Sequence, residues 1–178
     1  MLLASRVEAA PPSVADRWTL LDPRPANHVS IRATTLSDFA GFDLGYRRAL
    51  GHHLSFGVSL EYMYPDTGYG QIQAIGHGLE LAVWIARPWV GPYFAATFNV
   101  GQNFVFTIPE LNSLAIGGGA DFGWSWDLPF HINLGVAVGL RRMKPVKESG
   151  PLCSLRRECV YLFDEFQPHF ALSFGYRF

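Results

Sequence analysis

The feature of this sequence that most constrains its fold is an alternation of apolar with small or polar residues that recurs along most of the chain. In the last ten residues, HFALSFGYRF, every second residue from Phe170 to Phe178 is aromatic or leucine, and the residues between them are small, polar or charged. Successive side chains on a β-strand point to opposite faces, so this period indicates strands with one apolar face. The pattern predicts eight strands, at about 28–36, 39–50, 53–64, 72–86, 91–102, 113–127, 130–142 and 166–178.

The lengths of these strands favour a membrane over water. Most exceed the roughly 5–6 residues usual in soluble sheets and match the roughly 9–11 of a tilted strand that crosses a bilayer. The longest strictly apolar run, residues 81–86, is far shorter than the roughly 18 residues that a spanning helix requires. Charged residues make up only 16% of the chain, and a net charge of −1 gives no indication of a nucleic-acid partner.

The two faces of the predicted strands differ in a way that fixes which one meets lipid. One face is bulky, apolar and uncharged, whereas the other is built mainly of Gly, Ser and Thr and carries every charge in mid-strand. These charged residues are Arg32, Asp43, Arg47, Glu61, Glu80, Asp121, Arg141 and Arg177. The polar face has too little Lys and Glu to cover a soluble protein, and the bulky face would overfill an eight-stranded lumen.

The polar face is therefore predicted to line the lumen and the bulky face to contact lipid. Because every backbone group must be paired in hydrocarbon, the sheet must close on itself. The sequence thus predicts an all-β fold, an eight-stranded antiparallel transmembrane β-barrel with an up-and-down meander, over residues 28–178. A soluble ligand-binding barrel of the lipocalin type is the alternative in which the two faces are exchanged.

The spacing of the strands supports this interpretation. Tight joins near 49–53, 86–91 and 127–130 alternate with long connections at 64–72, 102–113 and 142–166, as is typical of transmembrane barrels. The first join, at 37–38, is an exception, because it is short although it falls at the end of the barrel where the long connections are expected. Two aromatic girdles at headgroup level are predicted, although buried core positions are the alternative for any single ring. The residues are Tyr46, Trp89, Tyr93, Trp124, Trp126, Tyr176 and Phe178 at the short-turn end, and Tyr62, Tyr64 and Phe104 at the other.

The final strand is similar to the C-terminal signature of bacterial outer-membrane barrels. Segments 42–64 and 91–101 resemble the small eight-stranded barrels of the outer-membrane protein A, X and W type. The resemblance implies a monomer in the bacterial outer membrane that contacts its lipids and lipopolysaccharide. It also implies that the barrel-assembly machinery reads the last strand, with Phe174, Tyr176 and Phe178. Residues 1–27 lack a convincing signal peptide and are interpreted as a leader or an irregular periplasmic tail.

The eight lumen charges are the strongest candidate site. Buried charges must pair, since breaking one buried pair costs about 3–5 kcal/mol. The network is either a fixed plug or a polar gate that passes ions. Alternation places His28, His53 and His131 inward near the short turns, but they lack the tight spacing of metal ligands, so no metal or cofactor is predicted.

Two further segments contain candidate functional residues. His53 and Ser55 are the nearest match to a lipid-modifying enzyme, but Ser55 is predicted to face the lumen and Glu61 lies nearly a barrel height away, so no catalytic residue is predicted. In the connection 142–166, Cys153 and Cys159 would form a disulfide in an oxidising compartment. Its basic residues would meet anionic headgroups or a protein partner at the surface; they are Arg142, Lys144, Lys147, Arg156 and Arg157.

The sequence therefore predicts a non-enzymatic membrane scaffold or surface-interaction protein. The first alternative is a narrow porin-like channel for ions or small apolar solutes. A lipid-modifying barrel enzyme is a further alternative, because such enzymes exist on this fold.

Overall fold

The structure of the protein, a computed structural model, describes residues 26–36, 39–65, 72–105, 113–146 and 166–178. Each strand pairs antiparallel with its neighbours in sequence, and the eighth pairs with the first, which confirms the predicted closed up-and-down barrel. No helix in these ranges is long and apolar enough to cross a membrane. The strands are β1 (Asn27–Leu36), β2 (Phe39–Ala49), β3 (Leu54–Pro65), β4 (Ile72–Trp84), β5 (Gly91–Val105), β6 (Ser113–Asp127), β7 (Ile132–Pro145) and β8 (Gln167–Arg177).

The strands are strongly tilted, as the pairing register shows. A path that starts at Leu36 and crosses from partner to partner around the barrel ends at Ala26, the residue just before β1, ten residues before its start. The intermediate partners are His169, Gly139, Asp121, Ala95, Ala82, Ser55 and Ala49. In a closed barrel such an offset goes with a tilt of roughly 35–45°, and eight strands then enclose a lumen that side chains can fill. Because of this tilt, side chains at the same height in the lumen come from residues that are not direct partners on neighbouring strands.

The exposure of the side chains confirms that the bulky apolar face lies on the outside of the barrel and that the polar face lines the lumen. Bulky apolar side chains on every strand are exposed on the outer wall, among them Leu44, Leu81, Phe98 and Val138. The residues between them are buried in the lumen, and they include all eight of the charged side chains predicted there. An outer wall of this composition is stable in lipid and not in water, so the soluble lipocalin-type alternative is excluded.

The alternation fails at the short turns, and two predicted side-chain directions are wrong for this reason. His53 precedes β3, and His131 lies in a 3-10 turn (Pro129–His131) ahead of β7, so both are exposed instead of facing the lumen. Phe130 and His131 have positive φ angles of 62° and 63°, in the left-handed region, which rotates their side chains out of the period of a strand. Of the three predicted histidines only His28 is buried.

The aromatic girdle at the short-turn end is confirmed in part. Tyr46, Trp124, Trp126, Tyr176 and Phe178 are exposed on the outer wall at this end of the barrel. Trp89 and Tyr93 are instead 2% and 6% exposed and point into the lumen, so their assignment to the girdle is wrong. At the other end Tyr64 is exposed and Tyr62 is half-buried, while the side chain of Phe104 lies outside the described part of the structure.

The assignment of the faces leads to a prediction at Val138, which is 52% exposed near the middle of β7. Val138→Arg places a cation in hydrocarbon and is expected to lower the free energy of unfolding by about 2–4 kcal/mol. Val138→Leu, which keeps the position apolar, is expected to change it by less than about 1 kcal/mol. Urea titration in lipid vesicles, followed by tryptophan fluorescence, measures both variants. Equal stability of the two variants would show that this wall does not face lipid.

Candidate functional site: the lumen of the barrel

The middle of the lumen holds a cluster of two arginines and two carboxylates, the central cluster (Arg32, Asp43, Arg47 and Glu80). Glu80 lies between both arginines: its Oε1 is 2.7 Å from Arg47 Nε, and its Oε2 accepts hydrogen bonds from Arg47 at 2.9 Å and Arg32 at 3.3 Å. Arg32 Nε is also 2.8 Å from Asp43 Oδ2. All four side chains are buried, and their formal charges sum to zero. The arrangement satisfies the condition under which charges can remain inside a narrow barrel.

A second group, the upper cluster (Glu61, Asn99, Asp121, Arg141 and His169), extends toward the long connections. Arg141 donates to Glu61 Oε1 at 2.9 Å and lies 3.9 Å from Asp121 Oδ2. His169 Nδ1 is 2.9 Å from Asp121 Oδ1, and the amide of Asn99 donates to Glu61 Oε2 at 3.1 Å. The structure therefore divides the mid-lumen charges into two neighbouring clusters and adds Asn99 and His169, which the sequence analysis did not single out.

Glycines on neighbouring strands make room for these large side chains. A Cβ at Gly119 would overlap the stem of Arg141, one at Gly57 would overlap that of Arg47, and one at Gly139 would overlap Asp121. The last of these glycines is paired across the ladder with Asp121 itself. The many glycines of the polar face thus allow arginines and carboxylates to lie flat across a lumen about as wide as they are long.

The short-turn end of the lumen is filled by aromatic rings, the aromatic layer (His28, Trp84, Trp89 and Tyr93). Trp89 stacks on His28 with ring centroids 4.9 Å apart and packs edge-on against Trp84 at 5.4 Å. Trp84 also contacts Tyr93 at 4.5 Å and donates from its indole N–H to Ser55 Oγ at 2.9 Å. The inward direction of Trp84 and Tyr93 could have been predicted from the strand alternation. Trp84 lies four residues after Glu80 and Tyr93 lies two residues before Ala95, and both of these reference residues face the lumen. The direction of Trp89 could not have been predicted in this way, since it lies in a turn.

The rim at this end has its own ion pair. Arg177, predicted as part of the lumen network, donates to Asp127 Oδ2 at 2.8 Å and makes a second contact with Oδ1, and it does not join the central cluster. Arg87 lies 3.5 Å from the same carboxylate. Ser125 and Asn133 both donate to the carbonyl of Trp89, at 3.0 and 2.9 Å, which fixes the turn that carries the tryptophan.

Some of the remaining candidate site residues do not contact one another in the structure, and the others lie outside its described part. His53 Nδ1 is 2.9 Å from the carbonyl of Trp84, whereas Ser55 receives the indole N–H of Trp84 and lies in the lumen, so these two side chains do not form a catalytic pair. Within the described ranges no group of three or more His, Cys, Asp or Glu side chains could hold a metal ion. Cys153 and Cys159, with Lys147, Arg156 and Arg157, lie outside the described residues.

Comparison with a solved structure supports the fold. The barrel is similar to the crystal structure of Neisserial surface protein A (NspA), with a TM-score of 0.59 and 13% sequence identity, over 88% of this chain and 100% of that one. It also matches the N-terminal β-barrel domain of Pseudomonas aeruginosa OprF at a TM-score of 0.46 and 10% identity, over 87% of this chain and 99% of that domain. Comparison with curated proteins gives no match.

The closed barrel, its apolar outer wall and its charged lumen define an eight-stranded transmembrane barrel of the bacterial outer-membrane class. The chain belongs to the family described as protein of unknown function (DUF3575), which matches residues 17–144. The match includes β1 to β6, most of β7 and all residues of the central cluster.

The position of Glu80 between two buried arginines leads to a prediction. Glu80→Gln removes the only charge that both Arg32 and Arg47 contact in the described structure, and it is expected to lower the free energy of unfolding by about 3–5 kcal/mol. Asp127→Asn, at the partly exposed rim pair, is the matched control and is expected to lower it by about 1 kcal/mol or less. Urea titration of both variants in the same vesicles measures the difference. Similar losses at the two sites would mean that the central cluster is as well solvated as the rim.

Trp89 and Phe130 form a second matched pair, since both are aromatic residues with positive φ in short turns. Trp89 is 2% exposed and Phe130 is 85% exposed. Glycine relieves the strain of the left-handed conformation at both positions, but only Trp89→Gly also removes buried ring contacts. Trp89→Gly is therefore expected to lower the free energy of unfolding by about 2–4 kcal/mol and Phe130→Gly by less than about 1 kcal/mol. A neutral Trp89→Gly would show that the aromatic layer adds no stability.

Proposed function

We propose that this protein is a non-conducting barrel of the bacterial outer membrane that serves as a membrane scaffold and as a carrier of surface-exposed connections. The observation that carries this proposal is the filling of the lumen at two successive levels. The central cluster crosses the lumen at mid-height with paired charges, and the aromatic layer covers the short-turn end with stacked rings. An ion that entered from either end would have to displace a buried salt bridge and at least one packed ring.

A non-enzymatic role is favoured by the geometry of the polar residues. The one histidine–carboxylate pair in the described lumen, His169 of β8 with Asp121 of β6, is buried inside the barrel, away from the wall that contacts lipid. His53, which does lie near the surface, has no serine or carboxylate partner among its described contacts. Catalysis on lipid would require a nucleophile and base in contact with each other at the lipid surface.

The partners we propose follow from three parts of the chain: the apolar outer wall, the last strand and the connection 142–166. Outer-membrane lipids and lipopolysaccharide cover the apolar wall, and the closed sheet leaves no free strand edge for self-pairing, which favours a monomer. Phe178 ends the strand that closes the barrel, and its backbone exchanges hydrogen bonds with Asn27 at 3.0 and 3.1 Å. This position suits a strand that the barrel-assembly machinery would read. The connection 142–166 is the part of the chain proposed to meet a surface ligand.

Conductance across planar bilayers tests the proposal. Protein refolded into vesicles, and shown to be folded by its heat-sensitive mobility on gels, is expected to give no current steps after fusion with the bilayer. The double variant Trp84→Ala/Trp89→Ala removes the larger rings of the aromatic layer but leaves the central cluster in place, and it is expected to remain silent as well.

A narrow channel is the alternative that this experiment can favour. It predicts current steps from the wild-type protein whose ion selectivity shifts when Arg32→Gln or Glu80→Gln changes the charge of the central cluster. Such steps, reproducible and absent from protein-free vesicles, would overturn the proposal of a closed lumen.

A further inference from the structure

An open groove, the outer groove, crosses the lipid-facing wall of the barrel over β1 to β4. It runs between two rows of outward side chains that are ladder partners within each row. The lower row runs from Val29 of β1 to Leu79 of β4, and the upper row runs from Leu44 of β2 to His77 of β4. The backbone at Gly45 and Gly78 lies between the rows. The volume of the outer groove, about 510 Å³, lies within the roughly 300–1,000 Å³ usual for small-ligand sites.

The outer groove descends from the upper part of the wall toward its middle. Because of the ten-residue offset around the barrel, the ladder rises from β1 to β4 toward the long connections. His77 therefore lies at the upper end of the groove. The next outward residue above it, Ile75, is paired with Tyr62, so His77 lies roughly 6–7 Å along the strand below one of the upper aromatic residues.

His77 is an exception on this wall. It is exposed, and both of its ladder partners, Leu60 and Val100, are apolar. Every other polar side chain on the outer wall of the described ranges lies within three residues of a strand end, whereas His77 lies five residues after Ile72, the start of β4. Its imidazole makes no hydrogen bond or ion pair with the described residues. In hydrocarbon such a polar group is unfavourable unless the lipid itself supplies a partner.

The chemistry of an imidazole narrows the choice of lipid. A neutral imidazole has one N–H donor and one nitrogen acceptor. An ester carbonyl only accepts, whereas a hydroxyl group can both donate and accept. The long connections of transmembrane barrels are extracellular, so His77 faces the outer leaflet just below its headgroups. The acyl chains of lipopolysaccharide carry a hydroxyl group on their third carbon, close to this depth, and the chains of phospholipids carry none.

We propose that the outer groove binds one 3-hydroxyacyl chain of lipopolysaccharide. The hydroxyl group pairs with the imidazole of His77, and the chain descends along the groove between the two rows toward Val29. At the lower end Tyr46 already donates its hydroxyl to Asn27 Oδ1 at 2.8 Å, so that end presents only apolar surface to the chain. This inference rests on the proposed contact with lipopolysaccharide and assigns it a place on the wall, and it is independent of whether the lumen conducts.

Native mass spectrometry tests the hydroxyl contact. The folded barrel in detergent micelles is mixed with equal amounts of methyl 3-hydroxytetradecanoate and methyl tetradecanoate, which differ by one oxygen atom. The wild-type protein is expected to retain one hydroxy ester with a preference of at least about threefold. His77→Leu is expected to lose this preference, and His77→Gln, which keeps a donor and an acceptor, is expected to retain it. Lipopolysaccharide is expected to displace the hydroxy ester, and phosphatidylethanolamine is not.

A matched pair of valines separates the outer groove from the rest of the wall. Val58 lies in the lower row and is 43% exposed, and Val138 lies on the opposite wall and is 52% exposed. Val58→Phe fills the groove and is expected to abolish retention of the hydroxy ester, whereas Val138→Phe is expected to preserve it. Leu79→Phe, in the same row, replaces Val58→Phe if the heat-sensitive mobility shows that this variant does not fold.

Four results would overturn the proposal. They are equal retention of the two esters by the wild-type protein, a hydroxyl preference that persists in His77→Leu, retention that is unchanged in Val58→Phe, and displacement of the hydroxy ester by phosphatidylethanolamine as readily as by lipopolysaccharide. A dimer that Val58→Phe dissociates would also contradict it, because the groove would then be covered by a second copy of the chain.

Discussion

The rest of this structure depends on one constraint, that a backbone in hydrocarbon has no water with which to pair its N–H and C=O groups. The chain meets this constraint by pairing each strand with the next and by pairing β8 with β1, up to the mutual hydrogen bonds of Asn27 and Phe178. Closure with only eight strands fixes a narrow lumen. The wall in contact with lipid must then be apolar, and every polar side chain of a strand must fit inside.

The contents of the lumen follow from this shortage of space. Glycines lie across the ladder from the longest lumen side chains, as Gly119 does from Arg141 and Gly123 from Tyr93. The large side chain of one strand occupies the space that the glycine of its neighbour leaves free. Charged side chains that cannot reach water form salt bridges across the lumen, and Glu80 forms one with each of two arginines, Arg32 and Arg47. Together with the aromatic layer, these contacts give a barrel whose interior stabilises the fold.

Much of this could be predicted from the alternation, because a period of two residues determines both the strand and the face on which each side chain lies. Most of its failures lie where the strands end: His131 and Trp89 have positive φ angles in short turns, and His53 lies in the bend before β3. It also could not name the partners of the lumen charges. Those depend on the ten-residue offset accumulated around the barrel, which brings Arg141 of β7 to Glu61 of β3 although the two strands are not neighbours.

The central claim, a barrel with its apolar face outward in lipid, is tested most directly by spin labels placed one at a time along β8. Labels at Phe170, Leu172 and Phe174 on the outer wall are expected to collide readily with dissolved oxygen, which concentrates in the bilayer. Labels at Ala171 and Ser173 are expected to be shielded from it. An oxygen accessibility that alternates in the opposite phase, or that does not alternate at all, would contradict the account.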